Sequence, residues 1–198
     1  MSEIFKNIKA ETLQESITPR TKESMEWFKQ KAKTMLLIRQ RTQLMKEDEL
    51  TLMTKPTSPI IGKMFMYFYD PKGKETLPYY DKFPLTIIVG KAPGGFYGLN
   101  LHYLPIKQRA LLLNALMEKT SNTKFDETTR MKITYKLLKA SARTRFFKPC
   151  FKHYLTKHVI SKFAYVSSSD WEIATFLPTA NWKKKKQAVI WKESRSKY

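Results

Sequence analysis

"LTIIVGKAPGGFYGLNLHYLP", residues 85–105, decides the fold. Its first five residues, 85–89, are rich in β-branched side chains and predict a strand. "GKAPGG" (90–95) predicts a loop or hairpin. Residues 96–104 predict another strand, in which Gly98 permits a bulge or a close approach of a neighbour. Pro105 ends that strand and opens a helix.

Upstream, "IIGKMFMYFYD" (60–70) is aromatic and apolar and reads as one buried strand. "DPKG" (70–73) is a turn, with Pro second and Gly fourth. "LPYYDKFP" (77–84) reads as an extended connection pinned by two prolines, and turn geometry accounts for Asp70 and Asp81, which flank the turn-rich stretch between them. The composition changes at Pro59. Before it, Thr18-Pro19 starts a helix whose apolar positions are Met25, Phe28, Ala32 and Met35.

Downstream, Ile106, Ala110, Leu113, Leu116 and Met117 line one side of the helix after Pro105, and Leu111 and Leu112 widen the stripe. Asp126 caps a second helix with Met131, Tyr135 and Leu138 in its apolar row. Pro149 opens a short helix carrying Cys150, His153 and Tyr154. Residues 162–167 predict a fourth strand that closes the sheet, and 170–178 a last short helix. The expected fold is α+β: a small antiparallel sheet or SH3-like barrel packed with helices, with a helical N-terminal arm and a basic C-terminal tail. The expected division is 1–58 arm and linker, 59–178 core, and 179–198 tail. Trp182, Val189, Ile190 and Trp191 leave open a tail helix that folds on a partner.

The chain carries 37 Lys+Arg against 17 Asp+Glu, a formal net charge of +20 over 198 residues. Such an excess repels itself in a compact fold and attracts polyanions. Nucleic acid, an anionic membrane surface or an acidic protein face would neutralise it. A hydrophobic fraction of 42 % supplies a real core and argues against wholesale disorder. One cysteine excludes an internal disulfide framework and suits a reducing compartment. No run has signal-peptide or membrane-span character, so a soluble chain made in cytoplasm is expected.

Cys150 and His153 would share a helix face, and Lys148 and Lys152 would favour a thiolate. No cysteine-enzyme signature accompanies them, and a packed apolar cysteine is the commoner use of the residue. Three histidines and one thiol do not make a closed zinc site. His102 reads as a satisfied polar core residue or an edge contact. "GKAPGGFYG" matches neither phosphate-loop pattern, and no HExxH occurs. Neither catalysis nor a cofactor is expected.

The basic and aromatic reading remains. Arg130, Lys132, Lys136, Lys139, Arg143, Arg145, Lys148 and Lys152 repeat one sign through two predicted helices, and Lys183, Lys184, Lys185 and Lys186 continue it in the tail. Arg143 and Arg145 sit beside Phe146, Phe147, Phe151 and Tyr154. These twelve cations are the candidate nucleic-acid-binding residues. No recognition helix with base-reading side chains stands out, so backbone-dominated, sequence-tolerant and salt-dependent binding is expected.

"PIIGKMFMYFYDPKGKETLPYYDKFPLTIIV" (59–89) followed by "GGFYGLNLHYLP" (94–105) resembles a virion-associated family of T4-like bacteriophages often described as DNA end protectors. The likeness lies in Gly62-Lys63-Met64, Tyr69-Asp70-Pro71, Leu77 to Asp81, Phe83-Pro84-Leu85 and Gly98 to Pro105. It continues less sharply through 125–155. The resemblance implies a phage particle protein, assembled in host cytoplasm and seated where packaged double-stranded DNA meets the portal or neck. It assigns no binding residue, and it makes GLNLHYLP a fold signature. A purely architectural neck, tail or baseplate component facing acidic virion subunits, in several copies around a ring, is the alternative. A small-barrel nuclease or toxin using Arg143, Arg145, His102 and His153 is a third.

Overall fold

The computed structural model describes residues 23, 26, 27, 30, 52, 53, 61–120, 136, 140, 147–166, 170–176 and 179–197. Most of the expected N-terminal arm and of the helix expected after Asp126 lies outside the described residues.

The chain builds a six-stranded antiparallel sheet from β1 (Leu52–Met53), β2 (Met64–Met66), β4 (Leu85–Ala92), β5 (Gly95–Asn100), β6 (Phe151–Leu155) and β7 (Phe163–Val166). Their order is β1-β7-β2-β4-β5-β6. A separate ribbon pairs β3 (Tyr80–Asp81) with β8 (Trp182–Lys183). Three helices have described bounds, α1 (Ile106–Thr120), α2 (Trp171–Phe176) and α3 (Gln187–Ser196), and residues 23, 26, 27, 30, 136 and 140 are helical as well. The α+β class stands. The sheet is open among the described residues, with β1 and β6 at its edges, so it is not a closed barrel.

The 85–105 stretch folds as a hairpin with a tighter turn than the sequence predicted. β4 runs on to Ala92, and Pro93-Gly94 alone join it to β5. Gly94 supplies the left-handed backbone (φ +67°) that the turn requires. The irregularity falls on β4, between Ile88 and Gly90. β5 ends earlier than expected because the Asn100 side chain accepts the His102 backbone N–H at 2.9 Å and caps a 3-10 turn at Leu101–Tyr103. "IIGKMFMYFYD" is likewise not one strand. Ile61-Gly62 turn (Gly62 φ +86°), β2 covers three residues, and Tyr69 makes an isolated bridge to Val159.

Strand alternation separates two cores. Met64, Met66, Leu85, Ile87, Leu99, Ala164 and Val166 face the helices. There they meet Leu112, Leu113 and Leu116 of α1, Trp171, Ile173 and Ala174 of α2, and Ile190 of α3. Phe65, Tyr67, Ile88, Phe96 and Tyr154 face the other way with Tyr69. Tyr67 is the centre of that second core, meeting Tyr69, Phe96 and Tyr154 edge-on at 5.5–6.4 Å between ring centroids. The α1 stripe is narrower than predicted: Leu112 is buried but Leu111 is 62 % exposed.

Residues 149–155 overturn the expectation of a helix. Lys148–Cys150 form a single 3-10 turn, and β6 follows at once. Five registered pairs with β5, from Gly95↔Leu155 to Leu99↔Phe151, outweigh the local helix signal. Pro149 is compatible with either start. The tail packs against its own chain. Ile190 is buried, and Trp191 Nε1 donates to the His102 carbonyl at 2.9 Å.

Candidate functional site

A strand separates Cys150 from His153, where a helix would have joined them. Cys150 is buried in the main core, and burial pushes its thiol up to about 12. His153 is exposed, lies opposite Tyr97 in the β5–β6 register, and its Nε2–H donates to the Pro93 carbonyl at 2.9 Å. The pair is therefore not a nucleophile and its base. Cys150 should react with an aromatic disulfide reagent about a hundredfold more slowly in the native chain than in denaturant, since both thiolate fraction and access are low. Equal rates, followed by absorbance of the released thiol, would contradict its burial.

The polar centre of the molecule is Asp81. Its Oδ1 accepts the backbone N–H groups of Phe83 and Asn181, each at 3.0 Å. Its Oδ2 lies 2.6 Å from His102 Nδ1 and accepts from Asn100 Nδ2 at 3.3 Å. Asn100 Nδ2 also reaches Tyr154 OH at 3.1 Å, and His102 Nε2 stands 3.0 Å from Thr179 Oγ1. Burial pushes the Asp81 carboxyl up, but the His102 charge and these hydrogen bonds outweigh burial and hold it below the ordinary carboxylate range. The Asp–His–Thr order resembles a hydrolase triad. Asp81, His102 and Thr179 are all buried, however, and His102 is wholly enclosed, so no substrate reaches the hydroxyl. The network fastens the tail to the sheet and makes the Asn100 and His102 of GLNLHYLP structural residues.

Around this anchor the tail builds one wall of a cleft of about 580 Å³. β8 pairs with β3, and Trp182 packs edge-on against Tyr79 and Tyr103. The Arg195 guanidinium donates to the Tyr103 carbonyl at 3.3 Å. Tyr79 and Tyr80 line one side of the cleft, Tyr103 and Lys152 another, and Ser194 and Lys197 a third. The Lys152 amine sits 4.2 Å from the centre of the Tyr103 ring. Burial brings that amine down to about 8, the neighbouring Lys197 charge acting in the same direction. Lys197 and Lys185 lie over the Tyr79 ring at 6.0 and 5.8 Å.

The twelve candidate cations have different fates. Arg130, Lys132, Lys139, Arg143 and Arg145 lie outside the described residues. Lys136 is helical and exposed, and Lys148 is exposed on its 3-10 turn. Lys152 enters the cleft through β6. Lys183 and Lys186 are exposed. Lys184 donates to the carbonyls of Glu75 and Leu77 at 2.7 Å each, and Lys185 pairs with Glu193 at 2.6 Å. Lys184 thus ties the tail to the 75–77 segment, while Lys185 bonds within the tail. Of the histidines put forward for a nuclease, His153 lines the cleft and His102 does not. Among the described residues no group of three His, Cys, Asp or Glu could hold a metal, and no helix is long and apolar enough to cross a membrane.

Sequence reasoning missed Ser194, Lys197 and the tyrosine wall as a unit, because they come from separate segments. It also missed Arg109, buried in α1, whose guanidinium donates to the carbonyls of Thr175 at 3.0 Å and Leu104 at 3.3 Å. Its position one before Ala110 in the apolar stripe was the available signal.

No curated relative and no solved structure matches the chain significantly. A family model does, over residues 1–197, and it is described as the phage T4 terminal DNA protecting protein. With nearly the whole chain matched, and with the resemblance at 59–105 pointing the same way, the protein belongs to the phage family of terminal DNA-protecting proteins.

Proposed function

We propose that the protein acts in the virion, where it binds the ends of packaged double-stranded DNA without regard to sequence and shields them by occupancy. The observation that carries this reading is a formal charge of +20 on a chain whose family protects DNA termini. A cationic surface binds the phosphate backbone with little dependence on sequence and releases counterions as it does so. Protection of this kind needs no chemistry. An exonuclease must grip a free end, and a protein already seated there denies it the terminal base pairs. The site residues of this reading are the exposed Lys136, Lys148, Lys183 and Lys186, together with the cations at 130, 132, 139, 143 and 145; Lys152 belongs to the cleft. A place at the portal or neck, with several copies around the DNA exit, belongs to the same proposal.

The test combines protection with salt. Stoichiometric protein should shield linear duplex DNA from a processive exonuclease. Its affinity should fall about a thousandfold or more between 50 and 200 mM salt if six or more phosphates are neutralised. A flat salt response would remove phosphate contacts as the main source of affinity. Digestion at the unprotected rate under saturating protein would remove end shielding.

A further inference from the structure

We propose that the cleft between β3, β6 and the end of α3 seats the terminal nucleotide of a DNA strand, with the phosphate between Lys152 and Lys197 and the base against the Tyr79 and Tyr80 wall. This deepens the DNA-end reading and rests on it.

Four observations point to a ligand of that chemistry. Cations stand on two sides of the cleft, Lys152 on β6 and Lys197 just beyond α3. The Ser194 hydroxyl is buried, lines the same cleft, and has no hydrogen-bond partner among the described residues. A buried hydroxyl without a partner costs free energy that a phosphate oxygen would return. Tyr79 and Tyr80 line the same cleft, with Lys197 6.0 Å from the centre of the Tyr79 ring, and every base offers such rings a π-face. A volume of about 580 Å³ falls within the roughly 300–1,000 Å³ typical of small-ligand clefts. One nucleotide fits such a space, whereas the body of a duplex does not.

Asp81 also lines the cleft, and its negative charge, which adds to burial in pushing up Tyr103 and Tyr154, is what the two lysines must outweigh. Both of its oxygens are engaged, one by two backbone N–H groups and the other by His102 and Asn100. Burial disfavours the charge of the Lys152 amine, and a phosphate beside it would favour that charge. Selectivity for an end follows from shape. Only a terminus can turn a nucleotide into the cleft while the basic surface holds the adjoining backbone.

The experiment compares two duplexes of one sequence, one open-ended with 5′-phosphates and one closed by hairpin loops at both ends. The full-length chain and its Lys152→Met, Lys197→Met and Ser194→Ala variants are titrated with each, and thermal melting checks folding. Methionine keeps the Lys152 stem packed over Tyr103. Lys197 is exposed near the chain end, so its variant reads the site even if Lys152→Met fails to fold.

The wild type should prefer the open-ended duplex about tenfold or more, and each Met variant should lose about tenfold on that duplex only, as expected for one charge-assisted phosphate contact. Free deoxyadenosine monophosphate should compete with the open-ended duplex better than inorganic phosphate does. Folded variants that weaken both duplexes equally, or neither, overturn the seat while leaving DNA-end protection standing. Equal competition by inorganic phosphate overturns the nucleotide assignment. A wild type that binds neither duplex overturns the DNA-end reading and the seat with it.

Discussion

Replacing Asp81 by alanine is expected to cost about 3–5 kcal/mol, the range for removing one partner of a buried ion pair. The loss is large because Asp81 serves four donors at once: His102, Asn100 and the backbone of Phe83 and Asn181. Without the carboxylate, His102 Nδ1 loses the Asp81 oxygen in a fully enclosed site, and the buried Phe83 N–H and part-buried Asn181 N–H lose their acceptor. The damage should be directional. Asn181 precedes β8, and β8 pairs with β3 through Asp81↔Trp182. Amide hydrogen exchange should therefore rise across 179–197 before it rises across β4 and β5. A melting shift equivalent to less than 1 kcal/mol would show that the tail is held by contacts other than those of Asp81.

The pH dependence has a definite sign. The folded-state pKa of Asp81 lies below its unfolded value, so the unfolded chain binds its proton first as pH falls. The contribution is complete above the unfolded pKa of about 4 and disappears as pH drops through the folded value. Asp81→Asn keeps the shape and loses the charge. Its deficit against wild type should be full at pH 7 and should shrink steadily below about pH 4. A deficit that is constant from pH 7 to pH 3 would mean the charge is not what Asp81 contributes.

The elements legible in the sequence are those whose signal is local. The β4–β5 hairpin and β7 announce themselves by β-branched and aromatic runs, and α1 by its periodicity. Asp81 was read as a turn residue because its decisive partners are far away in sequence: Asn100, His102 and Asn181. The β3–β8 ribbon has two residues on each side, too few to show alternation. β6 was misread because Cys150 and His153 three apart fit a helix as well as chance does, while its pairing with β5 is a tertiary fact. The cleft needs Tyr79, Tyr103, Lys152, Ser194 and Lys197, which no window of the sequence contains. Conversely, the Lys183–Lys186 run looks uniform as text, yet Lys184 bonds to carbonyls and Lys185 to a carboxylate.

Gly95 ties the hairpin to the cleft, and Gly95→Ala is expected to cost about 3 kcal/mol or more, at or above the upper end for overpacking. A Cβ there would lie 1.8 Å from the Tyr154 carbonyl oxygen and 3.0 Å from Leu155 Cα. Both are backbone atoms of β6, so no rotamer change relieves the clash and the strand itself must move. Gly95↔Leu155 is the end pair of the β5–β6 ladder, and displacing it drags Tyr154 off its stack with Phe96 and off Asn100. Gly90 is the internal control. It lies in β4, has no positive φ, and a Cβ there meets nothing within 4 Å. Gly90→Ala should be neutral or stabilise by about 0.4–1 kcal/mol through the unfolded chain. Denaturant melts of the two variants separate the effects. Because β6 also carries Lys152 to its place beside Tyr103, Gly95→Ala should lose the preference for open DNA ends at temperatures where the main core is still folded. Equal stability of the two alanine variants would mean that β6 does not lie where the ladder puts it.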